Sequence, residues 1–130
     1  MKELIVLPNV TIKDALKKLS QSNEKCLIVA DKNSILLGTL SDGDIRRTIL
    51  KYGDITRPIA DIYQTKPTVL VEGEYKLKQV KELFIENKFD LIPIVDRKGK
   101  LVDALFWEKV FQNEELKKHQ KLDVPVVIMA

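Results

Sequence analysis

The sequence predicts a mixed α/β (α+β) fold in which two similar β-α-β-β-α units pack sheet to sheet. Three observations lead to this prediction. The order of apolar and polar residues in the first half returns in the second half after a shift of 65 residues, which places Cys26 on Leu91. Each half contains a continuous apolar run, which is typical of a strand covered on both faces. Each half also contains apolar residues three and four positions apart, which is typical of an amphipathic helix.

Both halves show the same order of elements, namely strand, helix, strand, strand and helix. A polar turn separates the two later strands, at 31–34 in the first half and at 96–99 in the second. The first half is expected to contain strand 4–7, helix 11–21, strand 26–30, strand 35–40 and a helix from about Gly43. The second half is expected to contain strand 68–71, helix 75–87, strand 91–95, strand 101–106 and a helix from Trp107.

Domain boundaries follow from this repeat. We expect a first repeat at 1–60 and a second at 61–122, with the start of a further domain at 123–130. A unit of about 60 residues is marginally stable alone, so the two repeats should bury each other's exposed apolar surface. Pro58 and Pro67 punctuate the connection, around a possible single helical turn at 59–63.

Composition excludes several classes of protein. The 130 residues include 22 Lys and Arg against 19 Asp and Glu, and this net charge of +3 is too small and too evenly spread to indicate nucleic-acid binding. The single cysteine, Cys26, excludes an internal disulfide framework and fits a buried thiol in a reducing compartment. No signal-peptide pattern and no apolar run of about 20 residues is present, so we expect a cytoplasmic protein without a membrane partner.

The most informative stretch is 38–47, Gly-Thr-Leu-Ser-Asp-Gly-Asp-Ile-Arg-Arg. A predicted strand runs into it and a predicted helix leaves it, and the positive end of a helix suits an anionic ligand. The carboxylate of Asp44 could accept hydrogen bonds from ribose hydroxyls. Ser41 and Asp44 also have the spacing of a capping box, which needs no ligand. From this stretch alone the capping box is the simpler interpretation.

The duplicated unit resembles the CBS domain, and the tandem resembles a CBS pair, or Bateman module, over residues 1–122. The stretch from Gly38 to Asp44 is similar to the family's Gly-h-h-Thr/Ser-x-x-Asp/Asn signature, where h is an apolar residue. The resemblance implies that an adenine nucleotide such as AMP, ADP or ATP binds in a cleft between the repeats. It also implies that this binding regulates an attached catalytic or transport domain.

The resemblance further implies one set of ligand-binding residues. Ser41 and Asp44 would hold the ribose and the α-phosphate, with Thr39 on the strand before them. Val69, Ile92 and Pro93 would form an apolar slot for the base. The full set implied is Lys25, Thr39, Ser41, Asp44, Lys66, Val69, Asp90, Ile92 and Pro93.

Arg46 and Arg47 are further candidates for phosphate contacts. A solvated helix face is at least as good an explanation, because two adjacent helix residues cannot both point at one ligand. In the second repeat Phe106 stands in place of the hydroxyl residue and Lys109 in place of the carboxylate. We therefore expect one nucleotide per chain.

The run Val-Pro-Val-Val-Ile-Met-Ala at 124–130 looks like the opening strand of sugar-phosphate nucleotidyltransferases. The sequence Ser-Asp-Gly-Asp-Ile-Arg-Arg at 41–47 also resembles the motif of CBS pairs attached to sugar-phosphate nucleotidyltransferases and isomerases. We therefore expect the N-terminal regulatory region of a bacterial nucleotidyltransferase. The alternative is a purely structural module that dimerises an attached enzyme and binds no ligand.

An enzymatic role for these residues is a poor hypothesis. The chain has one histidine, His119, no Cys–His pair, no metal-binding spacing and no phosphate-binding Gly-rich loop ending in Lys-Ser or Lys-Thr. Close acidic pairs such as Asp42 and Asp44 are usually solvated caps. We expect no metal and no cofactor, an adenine nucleotide as regulatory ligand, and a homodimer formed through the CBS pair.

Overall fold

The computed structural model describes residues 2–111. The strands are β1 (Ile5–Val6), β2 (Cys26–Ala30), β3 (Leu36–Ser41), β4 (Leu70–Val71), β5 (Leu91–Val95) and β6 (Leu101–Phe106). The helices are α1 (Ile12–Ser22), α2 (Asp42–Tyr52) and α3 (Leu77–Asn87), with short 3-10 helices at Lys2–Leu4 and Ile59–Asp61. Residues 107–111 are helical. The rest of that closing helix, His119 and the strand expected at 123–130 lie outside the described residues.

The internal repeat is visible in the bounds of the elements. The helices α1 and α3 begin at Ile12 and Leu77, and the strands β3 and β6 begin at Leu36 and Leu101. Both pairs are separated by the shift of 65 residues found in the sequence. The mixed fold with a duplicated unit is therefore confirmed.

The middle and last strands lie close to their predicted positions, whereas the opening strands are shorter than expected. β1 and β4 have only two residues each. Leu4, which was expected to begin the first strand, is the last residue of the 3-10 helix Lys2–Leu4 instead. Each opening strand pairs with its neighbour at two positions only. The apolar run 4–7 is thus longer than the part of it that pairs with β2.

Each repeat forms its own three-stranded sheet, with orders β1-β2-β3 and β4-β5-β6. The opening strand is parallel to the central strand, and the last strand is antiparallel to it. Cys26 lies opposite Ser41 in the first sheet, and Leu91 lies opposite Phe106 in the second. Ser41 and Phe106 therefore occupy equivalent ends of the two sheets.

The strands β5 and β6 are covered on both faces. One face packs into the core of the first repeat, and it includes Leu91, Leu101 and Ala104. The other face packs with Val80 and Phe84 of α3 in a second core, to which these strands contribute Ile92, Ile94, Val102 and Leu105. In β5 this alternation follows the two-residue period of a strand. In β6 the faces shift by one residue at the irregularity in pairing, where Ile94 lies opposite Asp103 and Val95 opposite Leu101. The second sheet is thus sandwiched between the first repeat and its own helix.

Backbone hydrogen bonds also join the two repeats at their hairpins. The N–H of Leu36 donates to the carbonyl of Gly99 at 3.1 Å, and the N–H of Leu101 donates to the carbonyl of Ser34 at 2.8 Å. A second connection lies in the linker, where Gln64 and Thr39 exchange two N–H···O bonds of 2.8 and 3.1 Å. The linker therefore runs as a partner of β3.

Gly38 permits this close approach of the linker to β3. A Cβ atom placed on Gly38 would lie 2.0 Å from the carbonyl oxygen of Gln64 and 2.7 Å from a ring carbon of Tyr63. Gly43, in the first turn of α2, is different, because its nearest neighbour would be a guanidinium nitrogen of Arg47 at 3.5 Å. Two glycines of one motif thus have different structural roles.

The substitution Gly38→Ala is expected to lower the free energy of unfolding by about 1–3 kcal/mol, because the linker backbone must move away from β3. The matched substitution Gly43→Ala is expected to leave stability unchanged or to raise it by up to about 1 kcal/mol, because alanine favours a helix over glycine. Urea unfolding of both variants measures the difference. Equal effects of the two substitutions would contradict the close contact between β3 and the linker.

Candidate functional site

The junction between β3 and α2 is closed by a complete capping box. The N–H of Asp44 donates to the hydroxyl of Ser41 at 3.1 Å, and the N–H of Ser41 donates to Oδ2 of Asp44 at 3.2 Å. The same device starts α1, where Thr11 and Asp14 exchange bonds of 3.2 and 3.3 Å. The capping interpretation of Ser41 and Asp44 is therefore correct, and it does not exclude a ligand.

The carboxylate of Asp44 keeps unused hydrogen-bond acceptor positions after capping. Its Oδ1 accepts a hydrogen bond from the guanidinium of Arg47, one turn further along α2. The side chain of Asp44 is 27% exposed, so solvent reaches it. An ionised carboxylate offers about four lone-pair positions, and the capping box and the ion pair use two of them. Asp44 can therefore still accept hydrogen bonds from hydroxyl groups.

The two neighbouring arginines point to different partners. Arg46 pairs with Asp42 at 2.6 Å, whereas Arg47 pairs with Asp44. Both guanidinium groups are largely exposed, so these ion pairs contribute little to stability. Arg47 is therefore the arginine that adjoins the Ser41–Asp44 junction.

A groove of about 270 Å³ runs from Asp44 along α2. The helix contributes Arg47 and Lys51 to one wall, and Asp61 and Ile62 of the linker form the other. Thr48 and Tyr52 complete the lining. The groove thus joins the motif to a row of charged side chains that the sequence analysis did not group with it.

The linker brings part of the second repeat to the motif, but through a residue that was not predicted. Gln64 pairs with Thr39, and its neighbour Tyr63 packs over Gly38. Lys66 follows two residues later and is exposed, and the side chain of Val69 is 37% exposed. Sequence comparison of the two halves cannot find Gln64, because the linker lies between the segments that repeat.

Three of the predicted ligand-binding residues, Lys25, Asp44 and Asp90, lie near the buried thiol of Cys26. Burial raises the pKa of this thiol to about 12, and the negative charges of Asp90 and Asp44 act in the same direction. These two carboxylates belong to different repeats, so both repeats approach one point. The carbonyl of Lys25, the residue before Cys26, accepts the N–H of Asp42 at 2.8 Å. This bond ties β2 to the first turn of α2.

Ile92 and Pro93 are placed differently from an open apolar slot. Both are fully buried in β5, and Ile92 belongs to the core under α3. Their side chains are therefore not accessible in this structure. Of the three residues expected to contact the base, Val69 alone is partly exposed.

Lys25 lies on a separate small groove of about 80 Å³ that it shares with Asp90, Phe106, Trp107 and Glu108. This groove is the second-repeat counterpart of the Ser41–Asp44 junction, because Phe106 is equivalent to Ser41. Phe106 packs against the first core, whereas Trp107 is about half exposed and contacts Phe111 edge to face. This groove has no counterpart of the capping box, since Phe106 and Lys109 replace the hydroxyl of Ser41 and the carboxylate of Asp44.

An apolar cavity of about 420 Å³ lies beside this groove, between α3 and residues 107–111. Its lining is formed by Phe84, Ile85, Lys88, Phe89, Asp90, Trp107 and Phe111. At the equivalent positions of the first repeat the sequence has Ser20, Glu24, Asp42 and Arg46 in place of Ile85, Phe89, Trp107 and Phe111. The cavity is therefore a feature of the second repeat.

Two general findings complete the description of residues 2–111. No cluster of three or more His, Cys, Asp or Glu side chains in this range is arranged to hold a metal ion. None of the helices within the same range combines the length and the apolar character that crossing a bilayer requires.

Comparison with known proteins identifies the family. A family model described as the CBS domain matches residues 1–51 and 59–105. The two matched segments cover the two repeats and more than half of the chain. The chain therefore belongs to the CBS domain family.

Named relatives connect this family to sugar-phosphate enzymes. The chain is 27% identical over 107 residues to arabinose 5-phosphate isomerase GutQ of Salmonella typhi, which covers 82% of this chain and 33% of that protein. It is 28% identical over 102 residues to the GutQ of Escherichia coli K12, with 78% of this chain and 32% of that protein covered. The chain thus spans about a third of the length of these relatives. They do not support the expected nucleotidyltransferase specifically.

Solved structures show the same fold. The crystal structure of CBSX2 in complex with AMP is 29% identical, with a TM-score of 0.75 and 88% of each chain covered. The structure of CBSX2 from Arabidopsis thaliana is 27% identical, with a TM-score of 0.76 and coverage of 91% and 90%. The AcuB protein of Vibrio cholerae reaches a TM-score of 0.79 at 18% identity, over 92% of this chain and 89% of that chain, which shows the fold alone.

The thiol of Cys26 is expected to resist modification by a disulfide reagent at pH 8 in the folded protein and to react within minutes in urea. Its raised pKa also makes stability depend on pH. Between about pH 9 and 12 the unfolded chain loses the thiol proton while the folded chain keeps it. Stability therefore falls with rising pH in that window, by at most about 1.4 kcal/mol per pH unit.

The variant Cys26→Ala isolates this contribution from the tyrosines and lysines that titrate in the same range. The difference in unfolding free energy between the variant and the natural chain should shrink from pH 9 upwards. A difference that stays constant to pH 11 would show that the thiol is not held in its neutral form.

Proposed function

We propose that this chain is a regulatory module that binds an adenine nucleotide between its two CBS repeats and controls an attached sugar-phosphate enzyme. The observation that carries the proposal is the Ser41–Asp44 junction. It combines a helix N-terminus, a partly exposed carboxylate with unused acceptor positions and a linker from the second repeat. The similarity to CBSX2, whose structure is described as a complex with AMP, supports the choice of ligand.

In this proposal the ribose hydroxyls donate to Asp44, and the base lies against the second repeat near Val69. Ile92 and Pro93 are fully buried, so their backbone would contact the edge of the base only when the cleft beside β5 opens. Pro93 has no N–H, so its contribution is limited to its carbonyl. Thr39, Lys66 and Asp90 remain proposed neighbours of the ligand, as does Lys25 at the edge of the adjoining groove.

The proposed regulation is a shift of population between two relative orientations of the repeats. A ligand that contacts both repeats favours the orientation to which it binds more tightly. The hairpin bonds of Leu36 and Leu101 join the repeats at one place, and the Thr39–Gln64 bonds join them at another. A change at the nucleotide site can therefore alter how one repeat sits on the other, and the attached enzyme would sense this change.

The attached enzyme can be proposed in more detail. The apolar run at 124–130 favours a nucleotidyltransferase, whereas the named relatives favour an isomerase of arabinose 5-phosphate type. Both act on sugar phosphates. We propose a cytoplasmic, homodimeric parent enzyme of this class, in which the nucleotide is an effector and not a substrate.

A second candidate function is dimerisation without a ligand. The capping box is complete, so Ser41 and Asp44 have a structural role whether or not a nucleotide binds. Two helices also carry exposed apolar side chains, with Leu50 on α2 83% exposed and Ile85 on α3 67% exposed. Such side chains suit a protein interface.

The two capping boxes provide a matched test of these functions. Asp44→Ala and Asp14→Ala each remove the third residue of a capping box, and each should cost about 0.3–1.5 kcal/mol of stability. The natural chain and Asp14→Ala should be stabilised by about 2.7 kcal/mol at 100 times the dissociation constant of AMP, ADP or ATP. This corresponds to several degrees in thermal unfolding. Asp44→Ala should lose the stabilisation by the nucleotide.

The protein should first be unfolded and refolded to remove any nucleotide carried over from the expression host. Stabilisation of both variants alike would show that Asp44 acts only as a cap. No stabilisation of the natural chain by any of the three nucleotides would favour the dimerisation module.

The parent enzyme offers an independent measurement. Addition of the nucleotide identified above should change the rate of the full-length enzyme by severalfold, and the same addition should leave the Asp44→Ala enzyme unchanged. Equal responses of the two enzymes would contradict regulation through this site.

A further inference from the structure

The groove along α2 has a chemistry that the ribose site does not explain. Arg47 and Lys51 lie four positions apart and therefore on the same side of the helix, and both line the groove that begins at Asp44. Arg46 is directed elsewhere by its pair with Asp42. The groove thus presents two cations in a row that starts at the proposed ribose contact.

The backbone of the helix N-terminus cannot take over phosphate binding entirely. The N–H of Asp42 donates to the carbonyl of Lys25, and the N–H of Asp44 donates to the hydroxyl of Ser41. Two of the first-turn donors that commonly bind a phosphate are therefore already used. Phosphates beyond the first that continue from a ribose at Asp44 therefore need side-chain cations.

The length of the groove decides which phosphates can reach which cation. Asp44 and Lys51 are seven residues apart on α2, which corresponds to about 10 Å along the helix axis. Arg47 lies less than half of that distance from Asp44. A single phosphate attached to the ribose can approach Arg47, whereas a chain of two or three phosphates is required to approach Lys51.

The far end of the groove carries additional positive charge. The ammonium of Lys51 lies 5.1 Å from the ring centroid of Tyr52, and the guanidinium of Arg57 lies 4.0 Å from the same centroid. Tyr52 thus has two cations close to its ring. On the linker wall Asp61 supplies a negative charge that opposes these cations.

We propose that Arg47 and Lys51 form a polyphosphate subsite that makes this module prefer nucleoside di- and triphosphates over the monophosphate. This inference rests on the proposed function, because it places the ribose at Asp44. Arg47 exchanges its pair with Asp44 for a pair with the first phosphates, and Lys51 contacts the terminal phosphate. Asp61 weakens the subsite by like-charge repulsion.

The inference is tested by measuring the affinities of AMP, ADP and ATP by calorimetry with four forms of the 130-residue chain. These forms are the natural chain, Lys51→Ala, Asp61→Asn and the control Lys17→Ala. Lys17 is an exposed lysine of α1, so its removal changes the net charge equally without touching the groove. Thermal unfolding without ligand checks that each form is folded.

The natural chain should bind ATP or ADP about tenfold more tightly than AMP at low salt, as expected for a charge-assisted contact. Lys51→Ala should remove most of this preference and leave the affinity for AMP unchanged. Asp61→Asn should strengthen the binding of ATP, and Lys17→Ala should behave like the natural chain. The preference for ATP should also decrease as the salt concentration rises.

The outcomes separate this inference from the proposed function. If all three nucleotides bind with equal affinity and Lys51→Ala has no effect, the subsite is wrong and the nucleotide site stands. If Lys17→Ala weakens ATP as much as Lys51→Ala, net charge and not the groove explains the preference. If no nucleotide binds to the natural chain, the proposed function and the subsite both fail.

Discussion

The constraint on which this structure depends is that β5 and β6 expose two apolar faces and must cover both. Their own repeat covers only one of them, with Val80 and Phe84 of α3. The other face, which includes Leu91 and Ala104, is buried by the core of the first repeat. Burial of apolar surface is the main favourable term in folding, so the second repeat depends on the first for its stability. Burial of this apolar surface therefore holds the two repeats together, whether or not a ligand is bound.

This arrangement places the motif at the meeting point of the two repeats. Gly38 admits the linker against β3, Gln64 fixes it there through two backbone bonds, and Asp44 follows at the start of α2. A ligand at Asp44 would thus lie beside a segment that leads into the second repeat. Regulation needs this connection, because a nucleotide shifts the equilibrium between two orientations of the repeats only if it binds one orientation more tightly than the other.

Much of the fold could be predicted from the sequence, because the repeat of 65 residues and the apolar runs determine where strands and helices lie. The strand β5 was predicted correctly although Pro93 stands within it, a residue that central strands usually exclude. The candidate site was harder to predict. Its local part, Ser41 and Asp44, follows from spacing alone. Gln64 belongs to no repeated segment, and the separation of Arg47 from Arg46 depends on ion pairs that sequence does not specify.

The proposed nucleotide binds at the Ser41–Asp44 junction and contacts both repeats. Amide NMR of the isotope-labelled chain, titrated with ATP, is the first experiment to make. The largest shifts are expected on residues 39–44 of the first repeat and on 64–69 and 90–93 of the second, with saturation at one nucleotide per chain. Shifts confined to one repeat would contradict the bridging role, and shifts centred on 106–109 would place the ligand in the other cleft.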